Sequence, residues 1–190
     1  MGLDYLDEEL RSKVENKIPL VISNLEKYYT DESIMYCLCH GDYRPNNIMT
    51  KEENGKITVI PVDYQIIYFG CPVFDFLYFM FLSTDRQFRN SHMDYLKNFY
   101  YKSLEDFLRY FDIYAENVFP RKHFEHIYEE KHDFGLAISF VICPLMFVSE
   151  NAEIPDVTKD ALTDIDFMLD DKFKDRINDA VEEFIDLGFL

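Results

Sequence analysis

Asp42, Asn47 and Asp63 stand in the stretches HGDYRPNN (residues 40–47) and VDYQ (residues 62–65), and their types and spacing suit one kind of chemistry. Asn47 follows Asp42 by five residues, and Asp63 follows Asn47 by sixteen. Phosphoryl transfer needs one carboxylate beside the attacking hydroxyl, and a second carboxylate plus an amide oxygen to hold magnesium against nucleotide phosphates. Magnesium takes few oxygens from a protein and keeps waters and phosphates as its other ligands, so one Asp and one Asn suffice. The same stretch has a simpler use, because Gly, Asp, Pro and Asn supply the dihedrals and local hydrogen bonds of turns. The neighbouring elements decide between a bare turn and a site.

A hairpin would bring the two stretches together. Asn54-Gly55, the strongest short hairpin signal, predicts strands at residues 47–51 and 57–62 around a turn at residues 52–56. Ahead of Asp42, the apolar run at residues 34–39 reads as a buried strand. Before that, Leu10, Val14 and Lys17, then Leu20, Val21, Leu25 and Tyr28, recur at helical spacing, with Pro19 placed to end one helix and begin the next. After Pro72, VFDFLYFMFLS and then SHMDYLKNFYYKSLEDFLRYF read as a long helix, with Leu96, Phe99, Tyr100, Leu104, Phe107, Leu108 and Phe111 at apolar positions. Further helices are predicted at residues 121–131, 132–148, 158–169 and 172–187. The expected fold class is mainly α with a small β-hairpin, an α+β arrangement in one domain: a helical lead-in over residues 1–33 and a lobe over residues 34–190.

His40-Gly41-Asp42 with Asn47 resembles the H-G-D-x-x-x-x-N catalytic loop of aminoglycoside phosphotransferases, choline kinases and their relatives, which share the protein-kinase-like fold. More narrowly, LCHGDYRPNNIM and VDYQIIYFGCPVFDFLYFMF resemble the CHK-kinase-like or ecdysteroid-kinase-like family, in which the metal motif reads Asp-aromatic-Gln, as Asp63-Tyr64-Gln65 does. The resemblance covers residues 34–83 and beyond them only helical character and length. It implies the C-terminal lobe of a kinase-like fold, with ATP as co-substrate and Mg2+ as cofactor. By the same resemblance Asp42 orients the acceptor hydroxyl, and Asn47 and Asp63 hold magnesium and through it the nucleotide. His40 would be a scaffold residue bonding the metal loop, and Asp75 the helix acid that accepts backbone N–H bonds and rigidifies the catalytic loop. Tyr43, Arg44 and Asn46 occupy variable positions and receive no role.

The nucleotide-covering lobe of such enzymes carries a glycine-rich loop and a strand lysine. Six glycines, at positions 2, 41, 55, 70, 135 and 188, leave no G-x-G-x-x-G in these 190 residues, and the residues before His40 read as helix. The expectation is therefore a lobe without its nucleotide clamp, exposing an apolar face that favours self-association or a partner. Three functions stay open. The first is a kinase of a hydroxylated small molecule, steroid-like or choline-like, represented by its catalytic lobe. The second is a non-catalytic interaction module, and the third, ranked last, a metal-dependent phosphoesterase using His40, Asp42 and Asp63 with too few bridging ligands nearby.

Composition narrows the partners. Nineteen basic against thirty-six acidic residues give a formal charge of −17, a field that repels nucleic acid and anionic membranes. The fourteen-residue apolar run at 135–148 contains Pro144 and falls short of the ~20 residues that span a bilayer. MGLDYLDEEL has neither the basic flank and apolar run of a signal peptide nor the myristoylation pattern, so the expected compartment is the cytoplasm. Cys37, Cys39, Cys71 and Cys143 lack C-x-x-C spacing and are expected as reduced thiols, and His123 and His126 have no matching acid for a zinc pattern.

Overall fold

Val14, Ile18 and Val21 fall on one helical stripe and are buried together, which carries α1 (Glu8–Ser23) straight through Pro19. The expected break at Pro19 does not occur. Proline forfeits one backbone bond, but the buried stripe runs past it on both sides, and tertiary packing supplies most of a helix's stability. The chain turns instead at Asn24, whose N–H reaches the Leu20 and Val21 carbonyls, and α2 (Leu25–Thr30) follows. The structure, a computed structural model, describes residues 6–30, 36–148 and 171–190.

Among the described residues, four short strands make two antiparallel pairs. β2 (Ile48–Glu53) and β3 (Lys56–Pro61) form the predicted hairpin, in register from Ile48 opposite Pro61 to Glu53 opposite Lys56. Its turn is tighter than expected, only Asn54 (φ 53°) and Gly55 (φ 75°), because two consecutive left-handed residues match the strand twist. β1 (Cys37–Cys39) pairs with β4 (Tyr68–Gly70), an element the sequence reading missed. β1 is not the buried strand expected, since Leu38 is 62% exposed, and residues 34–35 lie outside the described residues.

The expected long helix after Pro72 is two, α3 (Pro72–Ser83) and α4 (Arg86–Arg109). Asp85 separates them by capping α4, its side chain accepting the Phe88 N–H at 2.7 Å. Beyond come α5 (Ala115–Val118), α6 (Arg121–Glu130), α7 (Asp133–Val141), α8 (Cys143–Met146) and α9 (Asp171–Asp186). The helix expected over residues 132–148 divides at Ile142 because Pro144 brings no N–H to continue the ladder. The helix expected over residues 158–169 lies outside the described residues.

α3 is the centre of the core, with Val73, Phe74, Leu77, Tyr78, Met80, Phe81 and Leu82 buried. Phe74 packs on Phe134 of α7 at 4.7 Å between ring centroids. Gly135 lets α7 close on α3, since a Cβ there would stand 2.4 Å from the Phe81 ring. A buried ion pair joins α4 to α9: the Arg89 Nε donates to Glu183 Oε2 at 2.8 Å. None of the four cysteines, all among the described residues, is joined in a disulfide. Among the described residues no helix is long and apolar enough to cross a membrane.

His132 sits in this core against Phe81, Tyr128 and Phe184, and its buried Nε2 has no hydrogen-bond partner among the described residues. Burial first, then the charges of Arg89 and Lys97, lowers its pKa from 6.5 to about 4. The unfolded chain therefore binds a proton between those values that the folded chain refuses. The His132 contribution to stability is complete above pH 6.5 and declines as the pH falls towards 4. In His132→Phe, the drop in melting temperature between pH 7 and pH 5 is expected to be smaller than in the wild type. An equal drop in both proteins refutes the assignment.

Candidate active site

The turn at Gly41 sets the site. Gly41 adopts φ +84°, and a Cβ there would stand 2.5 Å from the Ile66 carbonyl oxygen, so only glycine lets the segment after Asp63 lie against the loop that holds Asp42. Asp75, near the start of α3, accepts the His40 and Gly41 N–H groups at 2.6 and 3.0 Å. That is the backbone contact expected of it, although the side chain is half-buried rather than fully enclosed. Burial raises the Asp75 pKa, and the two N–H bonds and His40 offset part of the rise.

His40 links the two loops. Its Nε2 lies 2.9 Å from the Val62 carbonyl, and its Nδ1 is 3.4 Å from the Asp42 N–H. A proton on Nε2 satisfies both contacts. The Tyr64 ring lies tilted against the imidazole, 4.8 Å between centroids, and the Val62 N–H donates to the Asn47 carbonyl at 2.9 Å. The segment carrying Asp63 is thus fastened to the Asp42 loop on both sides of Asp63. Asp63 itself takes φ 66°, a left-handed conformation uncommon outside glycine, and is exposed. Its carboxylate makes no hydrogen bond or ion pair among the described residues. Strained backbone of this kind gathers at functional sites.

Asp42 is held by its side chain as well as by its loop. The Tyr78 hydroxyl donates to Oδ1 at 2.7 Å, and the buried Asn47 donates through Nδ2 to Oδ2 at 2.8 Å and to the Asp42 carbonyl at 2.9 Å. Arg44 Nε lies 2.9 Å from Oδ1, an ionic contact in which the N–H is not aimed at the oxygen. Burial alone would raise the Asp42 pKa, but Tyr78, the Arg44 charge and Asn47 together outweigh it and hold the carboxyl below its ordinary range. With Nδ2 committed to Asp42, Asn47 keeps its amide oxygen as its remaining coordinating atom.

Asn47 Oδ1 and the Asp63 carboxylate offer the hard oxygen donors that magnesium prefers. Among the described residues no three His, Cys, Asp or Glu side chains gather into a metal-binding cluster. His123 and His126 lie on α6, where His126 faces Glu130 at 3.6 Å. Beside the loop, a largely apolar cavity of about 370 Å³ is lined by Tyr43, Tyr64, Phe76, Phe79 and Tyr100, among others.

Residues 3–113 match the ecdysteroid kinase-like family, a span that contains the Asp42 loop, the hairpin, Asp63 and Asp75. The chain belongs to the ecdysteroid kinase-like family. No curated protein and no solved structure matches it. Membership in an ecdysteroid kinase-like family brings kinase-like phosphotransfer as the class of chemistry, and the match ends where α5 to α9 begin. Sequence reasoning singled out Asp42, Asn47, Asp63, His40 and Asp75, did not single out Tyr78, and left Arg44 without a role. The available signal was spacing, since Tyr78 follows Asp75 by three residues and so shares its helix face.

Proposed function

We propose that this chain carries the acceptor-orienting and metal-holding residues of an ATP-dependent phosphotransferase acting on a hydroxyl of a small molecule, steroid-like or choline-like. The observation that carries this reading is the Asp42 carboxylate. It is fixed by Tyr78 and Asn47 and fastened through His40 and Val62 to the loop of Asp63. Asp42 accepts the hydrogen bond of the acceptor hydroxyl and directs its oxygen. A carboxylate has about four lone-pair positions, and the two side-chain donors use only part of them. Asn47 and Asp63 hold Mg2+, which when bound neutralises phosphate charge on ATP. His40 and Asp75 keep the two loops in register.

A second reading, a kinase-like interaction module without catalysis, draws on the exposed apolar side chains of the sheet pairs: Leu38, Met49, Ile57, Val59, Ile60 and Phe69. These 190 residues also contain no glycine-rich phosphate loop. Turnover separates the two readings. The protein is incubated with magnesium and γ-labelled ATP and a panel of sterols and amino alcohols, and the organic products are counted for label. Label transferred to an alcohol supports the kinase reading. Magnesium-ATP that binds, by calorimetry, without labelling any alcohol supports the module.

A further inference from the structure

Tyr78 is buried on the central helix, at 6% exposure, yet it spends its hydroxyl on the one carboxylate to which phosphotransfer assigns the acceptor. Three residues earlier on the same helix, Asp75 holds the backbone of the same loop. α3 therefore grips the loop twice, once at the His40 and Gly41 N–H groups and once at the reactive side chain. We propose that Tyr78 is a positioning residue for Asp42, fixing the rotamer in which one face of the carboxylate meets the acceptor hydroxyl. The proposal rests on the phosphotransfer reading of Asp42.

The other groups around Asp42 do not substitute for Tyr78. Arg44 and Asn47 belong to the same loop as Asp42 and travel with it, and the Arg44 Nε does not aim its hydrogen at the carboxylate. Tyr78 is the side-chain donor to Asp42 that comes from outside the loop. Its ring lies in the core cluster with Phe74, Leu77 and Phe81, so it cannot follow a drifting loop. Without the hydroxyl, Oδ1 keeps only the Arg44 contact, and the carboxylate can turn about the Asn47 bond that still holds Oδ2, within a loop whose backbone stays pinned by Asp75. The acceptor then still binds, but its oxygen is aimed less often.

Tyr78→Phe keeps the ring and removes only the donor. The expected result is a fall in kcat of ~10- to 100-fold, with KM for ATP and for the alcohol unchanged within about twofold, since misdirection of a reacting group costs rate rather than affinity. The Asn47 side-chain amide protons, which report the Asp42 carboxylate through their own bond to it, should shift and exchange faster in the variant. In an Asp42→Asn background, Tyr78→Phe should cost nothing further. A merely structural role would lower the melting temperature and add its loss in that background. An unchanged kcat with unmoved Asn47 amide signals overturns the proposal. Should Tyr78→Phe fold poorly, the wild type decides: an exchange-protected Tyr78 hydroxyl proton is required, and a freely exchanging one overturns the proposal. If the wild type labels no alcohol, the phosphotransfer reading fails, while the amide and hydroxyl signals still decide whether Tyr78 holds Asp42.

Discussion

Asp42→Asn is expected to reduce phosphate transfer by about 10²- to 10⁴-fold, the range that a positioned base contributes, while leaving magnesium-ATP affinity within about twofold. The substitution keeps the shape of the side chain but replaces one accepting oxygen with an NH2 group. On the Oδ1 side that NH2 meets the Tyr78 hydroxyl and Arg44, and on the Oδ2 side it meets Asn47 Nδ2. Turned towards Asn47, the amide sets a donor against a donor; turned towards Tyr78, it forces the hydroxyl to change from donor to acceptor beside Arg44; either way the charge that balances Arg44 is gone. Transfer is measured as label moved from γ-phosphate to alcohol, and affinity by calorimetry. Retained transfer would remove Asp42 from the chemistry.

The largest structural effect belongs to Asp75. Asp75→Ala strips the acceptor from two backbone N–H groups at the head of the Asp42 loop, His40 and Gly41. An unsatisfied buried donor costs about 1 to 3 kcal/mol. The half-buried carboxylate also carries its own desolvation penalty, in keeping with its raised pKa, and its removal returns part of that cost. The net expectation is about 2 to 4 kcal/mol. In a chain of this length that lowers the melting temperature by roughly 5 to 15 °C. Asp75→Asn, which keeps one accepting oxygen, should fall between. Thermal melts at neutral pH followed by circular dichroism measure the difference, and an unchanged melting curve contradicts the anchoring role.

What was legible in the sequence was what local chemistry dictates. Asn54-Gly55 announces its turn because both residues need left-handed backbone, and the hairpin follows from it. Asp42, Asn47 and Asp63 are legible as a pattern of oxygen donors with fixed spacing. What escaped depends on partners far along the chain. Pro19 signals a helix end locally, but the burial of Val14 and Ile18 in a core shared with distant helices overrides it. β4 is a strand only because β1 lies beside it, thirty-one residues away in the pairing of Leu38 with Phe69. Asp85 did carry a local cap signal in Ser83-Thr84-Asp85, which the apolar residues at helical spacing on both sides of it concealed. Tyr78 reads as one more aromatic in FDFLYFMF until the fold brings Asp42, thirty-six residues earlier, to its hydroxyl.

The role of the Asp63 loop can be measured without any acceptor. Manganese, a paramagnetic stand-in for magnesium, is titrated with ATP into the isotope-labelled chain, and backbone amide signals are followed in the wild type and in Asp63→Asn. A site built from Asn47 and Asp63 requires the signals of residues 41–47 and 62–65 to broaden first in the wild type, and that selective broadening to be lost in Asp63→Asn. Broadening that falls only on the acidic surface of α9, around Asp179, Glu182 and Asp186, or that is identical in the two proteins, would contradict a metal-assisted phosphotransfer site at this position.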